Sequence, residues 1–374
     1  MTPLRIASAR ALVYRAPITT PIRTSFGTMH DRPAVLIRVE DDEGAVGWGE
    51  AWCNFPAVGA EHRARLFGSV IAPLLVGCSF EHPSAAYELL TQRTHVLGVQ
   101  TGEPGPLAQI IAGVDVALWD LWAQRAQQPL WKLLGGSATV PVYASGLNPE
   151  HPERLALRKR DDGFRAFKLK VGFGRRIDTS NMAALRTALG PETRIMIDAN
   201  QAWSPAQAVE EAAALAAFAP FWLEEPIVAD AAPDAWKALA ADVPIPLAGG
   251  ENIRGRAAFA QLIGCGAFAV VQPDIGKWGG FSGCLEVGRM ALAAGLTFCP
   301  HWLGGGIGLV ASMHLLAAVG GDGLVEVDAN DNPLRELLAG PHPLVRDGTV
   351  ELSNRAGLGV APDLDAAKAF LVTV

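Results

Sequence analysis

Positive charge is in the minority in this 374-residue chain: 31 Lys and Arg stand against 38 Asp and Glu, for a formal net charge of −7. With no basic tract either, nothing offers the electrostatic footprint that a phosphate backbone requires, so nucleic acid is not an expected partner. Cysteine is scarce as well. Cys53, Cys78, Cys265, Cys284 and Cys299 form no CxxC or Cys/His cluster, which argues against a disulfide scaffold or a zinc site and fits reduced thiols. No apolar run reaches membrane-spanning length, and the opening MTPLRIASARALVYRAPITT has neither the basic and apolar regions nor the small-residue cleavage site of a secretory signal. The expectation is a cytoplasmic protein without a membrane partner. Glycine and proline, at 40 and 26, are plentiful for a helical bundle and imply many tight turns.

At roughly 100–200 residues per domain, with barrels running somewhat longer, the length suits one large domain and one small one. The first part reads as strands: ARALVYRAP, then VLIRVE and AVGWGEA around an Asp-Asp-Glu-Gly turn. A polar loop is expected between them, from about Ile18 to Arg32. From Ala57 to about Leu134 the apolar spacing turns helical, until Gly135-Gly136 stops it. This α+β unit, 1–135, is followed by a different rhythm. Short apolar segments (PVYAS, AFKLKV, RIMIDAN, FWLEEP, IPLAGGEN, AVVQPD, TFCPHW, LVEVDAN) alternate with Ala/Leu-rich helical ones over 136–330. That pattern is α/β and reads as a (β/α) barrel of the TIM type, because polar residues end almost every strand instead of clustering at one switch point. The remainder, 331–374, is expected to return to the small domain.

In a parallel barrel all C-terminal strand ends share one mouth, so residues far apart in sequence meet there. Asp198, Glu224, Glu251, Asp274 and His301 follow one another at 26, 27, 23 and 27 residues, one barrel unit each. Three carboxylates on successive strands, Asp198, Glu224 and Glu251, would repel one another unless a cation neutralised them. An all-oxygen donor set suits Mg²⁺ before Mn²⁺. Asn200 and Glu225, next in sequence to this set, are candidates for orienting the ion or a neighbouring lysine. Lys168 and Lys170 leave the same face of one strand, and two cations beside a divalent ion should have lowered pKa values, toward those of an amine base. Asp274 and His301 end adjacent strands as an orienting carboxylate and its base. Glu326 ends the eighth strand and would need a raised pKa to donate a hydrogen bond.

Together these residues resemble the enolase superfamily, in particular its mandelate racemase-like subgroup. The likeness rests on Lys168-x-Lys170, Asp198/Glu224/Glu251, the Asp274–His301 pair and Glu326, and covers most of the chain. Asp274 stands where the muconate-lactonizing and dipeptide-epimerase subgroups carry a base lysine, and Lys277 is expected to be a surface or supporting lysine. The resemblance implies a modified (β/α)7β barrel under an N-terminal α+β capping domain, and a homo-oligomer between dimer and octamer. It also implies abstraction of the proton α to a small-molecule carboxylate, through an enediolate stabilised by Mg²⁺, Lys168 and Glu326. Dehydration of an acid sugar or related hydroxy acid to a 2-keto acid is the leading outcome. Racemisation or epimerisation by the same two bases, and a non-catalytic binding barrel, are the alternatives. Specificity would come from the capping unit: Thr20, Arg23, Ser25 and His30 in the first loop, and Trp52, Asn54 and Phe55 in the second. Trp203, Trp278 and Trp302 could build an apolar pocket near the mouth, and Gly304-Gly305-Gly306 suggests a close backbone approach more than a phosphate cradle.

Overall fold

The computed structural model describes residues 2–24 and 27–374. The capping domain is built on an antiparallel sheet of β1 (Leu4–Thr24), β2 (Gly27–Asp41) and β3 (Val46–Ala51), with β2 in the middle. Ala34 to Ile37 are consecutively and completely buried, as befits a central strand covered on both faces. The polar loop expected from Ile18 to Arg32 is instead a β-ribbon. Pairing runs through Pro17↔Asp31 and, after an irregularity, resumes at Ile22↔Met29, Arg23↔Thr28 and Thr24↔Gly27. Ile22 and Met29 stand directly opposite each other and are both buried, so one apolar cross-strand pair anchors an otherwise polar ribbon.

Helix Pro104–Arg125 packs on this sheet, and helix Pro83–Thr101 packs against that helix. Against the expectation that no apolar run reaches membrane-spanning length, helix Pro104–Arg125 is long and apolar enough, by length and composition, to cross a bilayer. Every residue from Ile110 to Ala123 is buried within the protein, Asp115 and Asp120 included, which makes this a core helix of the fold.

Eight strands form the barrel: Thr139–Leu147, Ala166–Lys170, Arg194–Asp198, Leu223–Glu224, Leu247–Gly249, Phe268–Val271, Thr297–Phe298 and Val325–Asp328. Neighbours pair in parallel from the first to the seventh, and the eighth pairs with the first. A helix of at least nine residues follows each of the first seven strands, whereas only the short helix Pro333–Leu337 follows the eighth, which is the (β/α)7β form. Tyr143, Ala166, Met196, Trp222, Ala248, Val270, Cys299 and Leu324, one from each strand position, make a single buried layer that plugs the barrel below its mouth. Past the eighth strand, Thr349–Glu351 pairs with the start of the first barrel strand, and Leu371–Val372 pairs with Val13 and Tyr14 of β1. Cys53, Cys78, Cys265, Cys284 and Cys299 are all free thiols.

Candidate active site at the barrel mouth

Strand register brings the polar strand ends together above that plug. Lys170 lies beside Asp198, and Asp198 beside Glu224, as paired positions on adjacent strands. Lys168, completely buried, places Nζ 2.7 Å from Glu224 Oε1, 2.9 Å from Glu326 Oε1 and 3.8 Å from Asp198 Oδ2. Lys170 Nζ is 2.5 Å from Asp198 Oδ2. The second strand therefore delivers both ammonium groups to the carboxylates of the third, fourth and eighth.

Asp274 and His301 extend the sixth and seventh strands as a parallel bridge, with the His301 N–H donating to Pro273 O at 3.1 Å. Nδ1 of His301 is 2.6 Å from Asp274 Oδ2, while Nε2 faces Glu251 Oε2 at 2.5 Å and Glu326 Oε2 at 3.6 Å. Asp274 Oδ1 accepts from the backbone N–H groups of Gly276 (2.8 Å) and Lys277 (2.9 Å), so the carboxylate that orients the imidazole is itself fixed. Asn200 donates to Asp198 from its backbone (2.8 Å) and its amide (3.2 Å). Asn252 holds Glu225 Oε2 at 2.7 Å and Glu251 Oε1 at 3.0 Å.

The electrostatics correct two expectations. Burial alone would lower both lysines, but Glu224 and Glu326 hold Lys168 well above its ordinary value, and Asp198 raises Lys170. For Lys170 the attraction of Asp198 outweighs the repulsion of Lys168. Glu326 likewise goes the other way: burial would raise it, yet Lys168, His301 and Lys170 bring it down to about 2. It is a hydrogen-bond acceptor here, taking the Ser145 hydroxyl on Oε1. For His301 burial opposes protonation, and Glu251, Glu326 and Asp274 outweigh it, raising the imidazole to about 10.

The donor set fits a hard dication. Among the described residues, six buried carboxylates (Asp198, Glu224, Glu225, Glu251, Asp274, Glu326) face the cations Lys168, Lys170, Lys277 and His301, a formal surplus of two negative charges even with His301 protonated. Burial and neighbouring carboxylates push Glu224 up to about 7 and Glu225 well above the usual range, and Glu225 Oε1 is buried without a hydrogen-bond partner. Among the described residues no three donors already surround one point; lysines and His301 lie against them. An ion held by oxygen ligands alone would relieve that surplus.

The capping residues divide. Trp52 carries its ring beneath Lys277 Nζ, 4.8 Å from the centroid, and Lys277 reaches Glu251 Oε2 at 3.3 Å, so this lysine supports the site and is not a surface residue. Asn54 is buried and donates to Leu303 O at 2.7 Å, and Phe55 is half-buried over Gly27; both join parts of the structure. Arg23 is exposed and paired with Glu150 at 2.8 Å, and His30 is exposed. Thr20, with Thr19, Asn148 and Asn330, lines a polar cavity of about 300 Å³. Ser25 lies outside the described residues. Trp302 is buried and packs against Gly304 and Gly308, and Trp278 packs on Phe259 and Tyr87. Trp203 is half-buried. Three residues escaped the sequence reading. Trp222 Nε1 and Gln272 Nε2 donate to Glu224 Oε2 at 3.3 and 2.8 Å, and Ser145 holds Glu326. Trp222 and Gln272 lie two residues before Glu224 and Asp274, the same inward face one step deeper, and strand periodicity alone could have found them.

Carboxylates from successive strands of a capped (β/α)7β barrel, ringed by lysines and a carboxylate-bound histidine, define the class of barrels that work on the carbon next to a carboxylate. The chain belongs to the mandelate racemase/muconate lactonizing enzyme family of the enolase superfamily: residues 8–135 match the model of the family's N-terminal domain and residues 152–367 that of the enolase C-terminal domain-like fold. A mandelate racemase/muconate lactonizing enzyme structure from Bordetella bronchiseptica RB50 is 53% identical, with TM-score 0.91, over 98% of this chain and 99% of that one. D-galactarolactone cycloisomerase of Agrobacterium fabrum is 30% identical over 98% of this chain and 99% of its own length. A variant of L-talarate/galactarate dehydratase solved with magnesium and L-glucarate is 26% identical, with TM-score 0.87, over 100% and 93% of the two chains.

Proposed function

We propose that this protein is a Mg²⁺-dependent lyase that removes the proton α to the carboxylate of an acid sugar and expels an oxygen leaving group from the adjacent carbon, yielding a 2-keto acid. The observation that carries it is the pair of nitrogen bases at one mouth: Lys170 beside Asp198 on the second strand, and His301, bound through Nδ1 to Asp274, on the seventh. Asp198, Glu224 and Glu251 would hold the ion, which supplies Lewis-acid stabilisation of the charge that grows on the substrate carboxylate. Lys168, fixed between Glu224 and Glu326, adds cationic charge at the same end.

Asp198 holds the proton on Lys170, and with Asp198 engaged as a ligand the amine would be released to take the α-proton; the C–H electron pair becomes the carbon–carbon double bond, and the bond to the leaving hydroxyl breaks. His301 hands that hydroxyl a proton, so it departs as water, and the resulting enol tautomerises to the 2-keto acid. The polar residues of the first capping segment, of which Thr19 and Thr20 line a cavity past the ends of the first and eighth barrel strands and not among the bases themselves, support a polyhydroxy substrate over an aryl one. Resemblance to D-galactarolactone cycloisomerase along nearly the whole chain supports a second substrate form, a sugar-acid lactone whose ring oxygen is the leaving group. The reading includes a cytoplasmic homo-oligomer. Its support is the unpaired state of the cysteines and the apolar surface that Val96 and Val99 expose on helix Pro83–Thr101.

The test is incubation with Mg²⁺ and a panel of aldonates, aldarates and their lactones in D₂O, followed by NMR. A 2-keto acid labelled with deuterium at C3, where the enol picks up a solvent proton on tautomerising, is the expected result. Exchange without loss of the leaving group would replace the lyase by a racemase or epimerase, and silence across the panel would leave a binding barrel.

A further inference from the structure

Two carboxylates of the capping domain enter the barrel at equivalent places. Asp115, on helix Pro104–Arg125, accepts from the backbone N–H (2.9 Å) and the hydroxyl (2.5 Å) of Ser282, in the first turn of helix Gly280–Ala293. Glu50, in β3, accepts from the backbone N–H groups of Gly305 (2.5 Å) and Gly308 (3.0 Å) at the start of helix Gly306–Val319. These are the helices that follow the sixth and seventh strands, which end in Asp274 and His301. Where each carboxylate arrives the barrel has a glycine: a Cβ on Gly280 would overlap Asp115, and one on Gly305 would overlap Glu50. The same capping segment continues the contact. The Trp52 N–H donates to Gly276 O at 3.1 Å, two residues past Asp274, and Asn54 donates to Leu303 O, two residues past His301.

We propose that Glu50 is a positioning residue for His301, with Asp115 serving the Asp274 loop in the same way, so that docking of the cap sets the alignment of the dyad. The inference rests on the reading of His301 as an acid–base group of the reaction. Free N–H groups at a helix N-terminus attract a carboxylate, and the helix they belong to is rigidly joined to the loop that carries the imidazole. A misplacement of about 1 Å at a reacting group costs on the order of 100-fold in rate, so a brace some residues away can govern the chemistry.

The experiment uses Glu50→Gln, which keeps the side chain's size but turns one acceptor into a donor facing an N–H. In the Mg²⁺-loaded protein, α-proton exchange in D₂O is followed on acid sugars epimeric at C2, with the His301 face identified as the one silenced in His301→Asn. Exchange on that face should fall about ten-fold or more, while exchange on the Lys170 face stays within about two-fold. In the metal-free, ¹⁵N-histidine-labelled protein, the low-field Nδ1–H resonance of His301 should shift or broaden although the protein remains folded by circular dichroism. Equal loss on both faces with that resonance unmoved, or no change in either, would overturn the proposal. Should Glu50→Gln not fold, Asn54→Ala removes a single contact to the same loop and is read by the same face-selective exchange. If the wild-type protein exchanges no carboxylate at all, the functional reading fails, and the His301 resonance alone decides whether Glu50 positions the ring.

Discussion

Asp274 and His301 are joined twice, once through the backbone as partners in a parallel bridge and once through their side chains, Oδ2 to Nδ1 at 2.6 Å. The double connection fixes both the position of the imidazole and the nitrogen that carries the inner proton. Asp274→Asn leaves the bridge intact and removes the charge that stabilises an Nδ1–H. Exchange on the His301 face should fall by about 100-fold or more, as expected when a general base loses its orienting group, while the Lys170 face keeps most of its rate. Comparing deuterium incorporation into the two C2 epimers checks this; equal loss on both faces would show that Asp274 acts on the site as a whole.

The strand-end residues were legible in the sequence because a parallel barrel has one mouth, so a repeat of one barrel unit between Asp198, Glu224, Glu251, Asp274 and His301 translates directly into convergence. What was not legible depends on packing between distant segments. The Ile18–Arg32 stretch read as a loop because its polar residues carry no strand signal, and only the meeting of Ile22 with Met29 makes it a ribbon. Lys168 and Lys170 lie two positions apart, so their mutual repulsion was visible, whereas Glu326, more than 150 residues away and 2.9 Å from Lys168, was not visible as its partner. Glu50 and Asp115 have no local signature, since each takes its meaning from a helix that begins far along the chain.

Glu224 is held on Oε2 by Gln272 (2.8 Å) and Trp222 (3.3 Å), both from the barrel interior. Hydrogen bonds onto a ligating carboxylate tune its orientation, and losing one typically weakens metal affinity by about 10–100-fold. Gln272→Leu is expected to weaken Mg²⁺ binding within that range and Trp222→Phe by less, in line with its longer bond. Isothermal titration with Mg²⁺ measures both. An unchanged Kd in the two variants would mean that Glu224 is positioned by the lysine alone, or is not a ligand.

His314 is completely buried, with Nε2 near Leu358 O at 3.1 Å and Nδ1 without a hydrogen-bond partner; burial lowers its pKa to about 4. A histidine depressed on folding contributes its full stability above the ordinary value of about 6.5, and that contribution disappears as pH falls toward 4. With a difference of about 2.5 pH units at 1.36 kcal/mol each, His314 should account for up to about 3 kcal/mol of acid-induced destabilisation. Urea unfolding at a series of pH values between 7 and 4 should show a flatter profile for His314→Gln than for the wild type. Parallel profiles would place the acid sensitivity elsewhere, and His342, half-buried and lowered to about 4, would be the next candidate.

Arg32 of β2 and Asp328 at the end of the eighth barrel strand form a buried ion pair at 2.6 Å, 1% and 4% exposed, across the junction between cap and barrel. Removing one member of such a pair strands the other charge away from water and costs about 3–5 kcal/mol, whereas replacing both can be nearly neutral. Asp328→Asn keeps an acceptor for the Asn330 N–H (3.0 Å) but abandons the guanidinium, so it should be markedly less stable in urea than the wild type. Adding Arg32→Met removes the stranded cation and should restore much of the loss, making the double variant more stable than Asp328→Asn alone. If the two losses simply add, the pair contributes through separate contacts on each side, and the junction depends instead on Glu50 and Asp115, whose carboxylates meet the barrel by backbone hydrogen bonds that need no opposite charge.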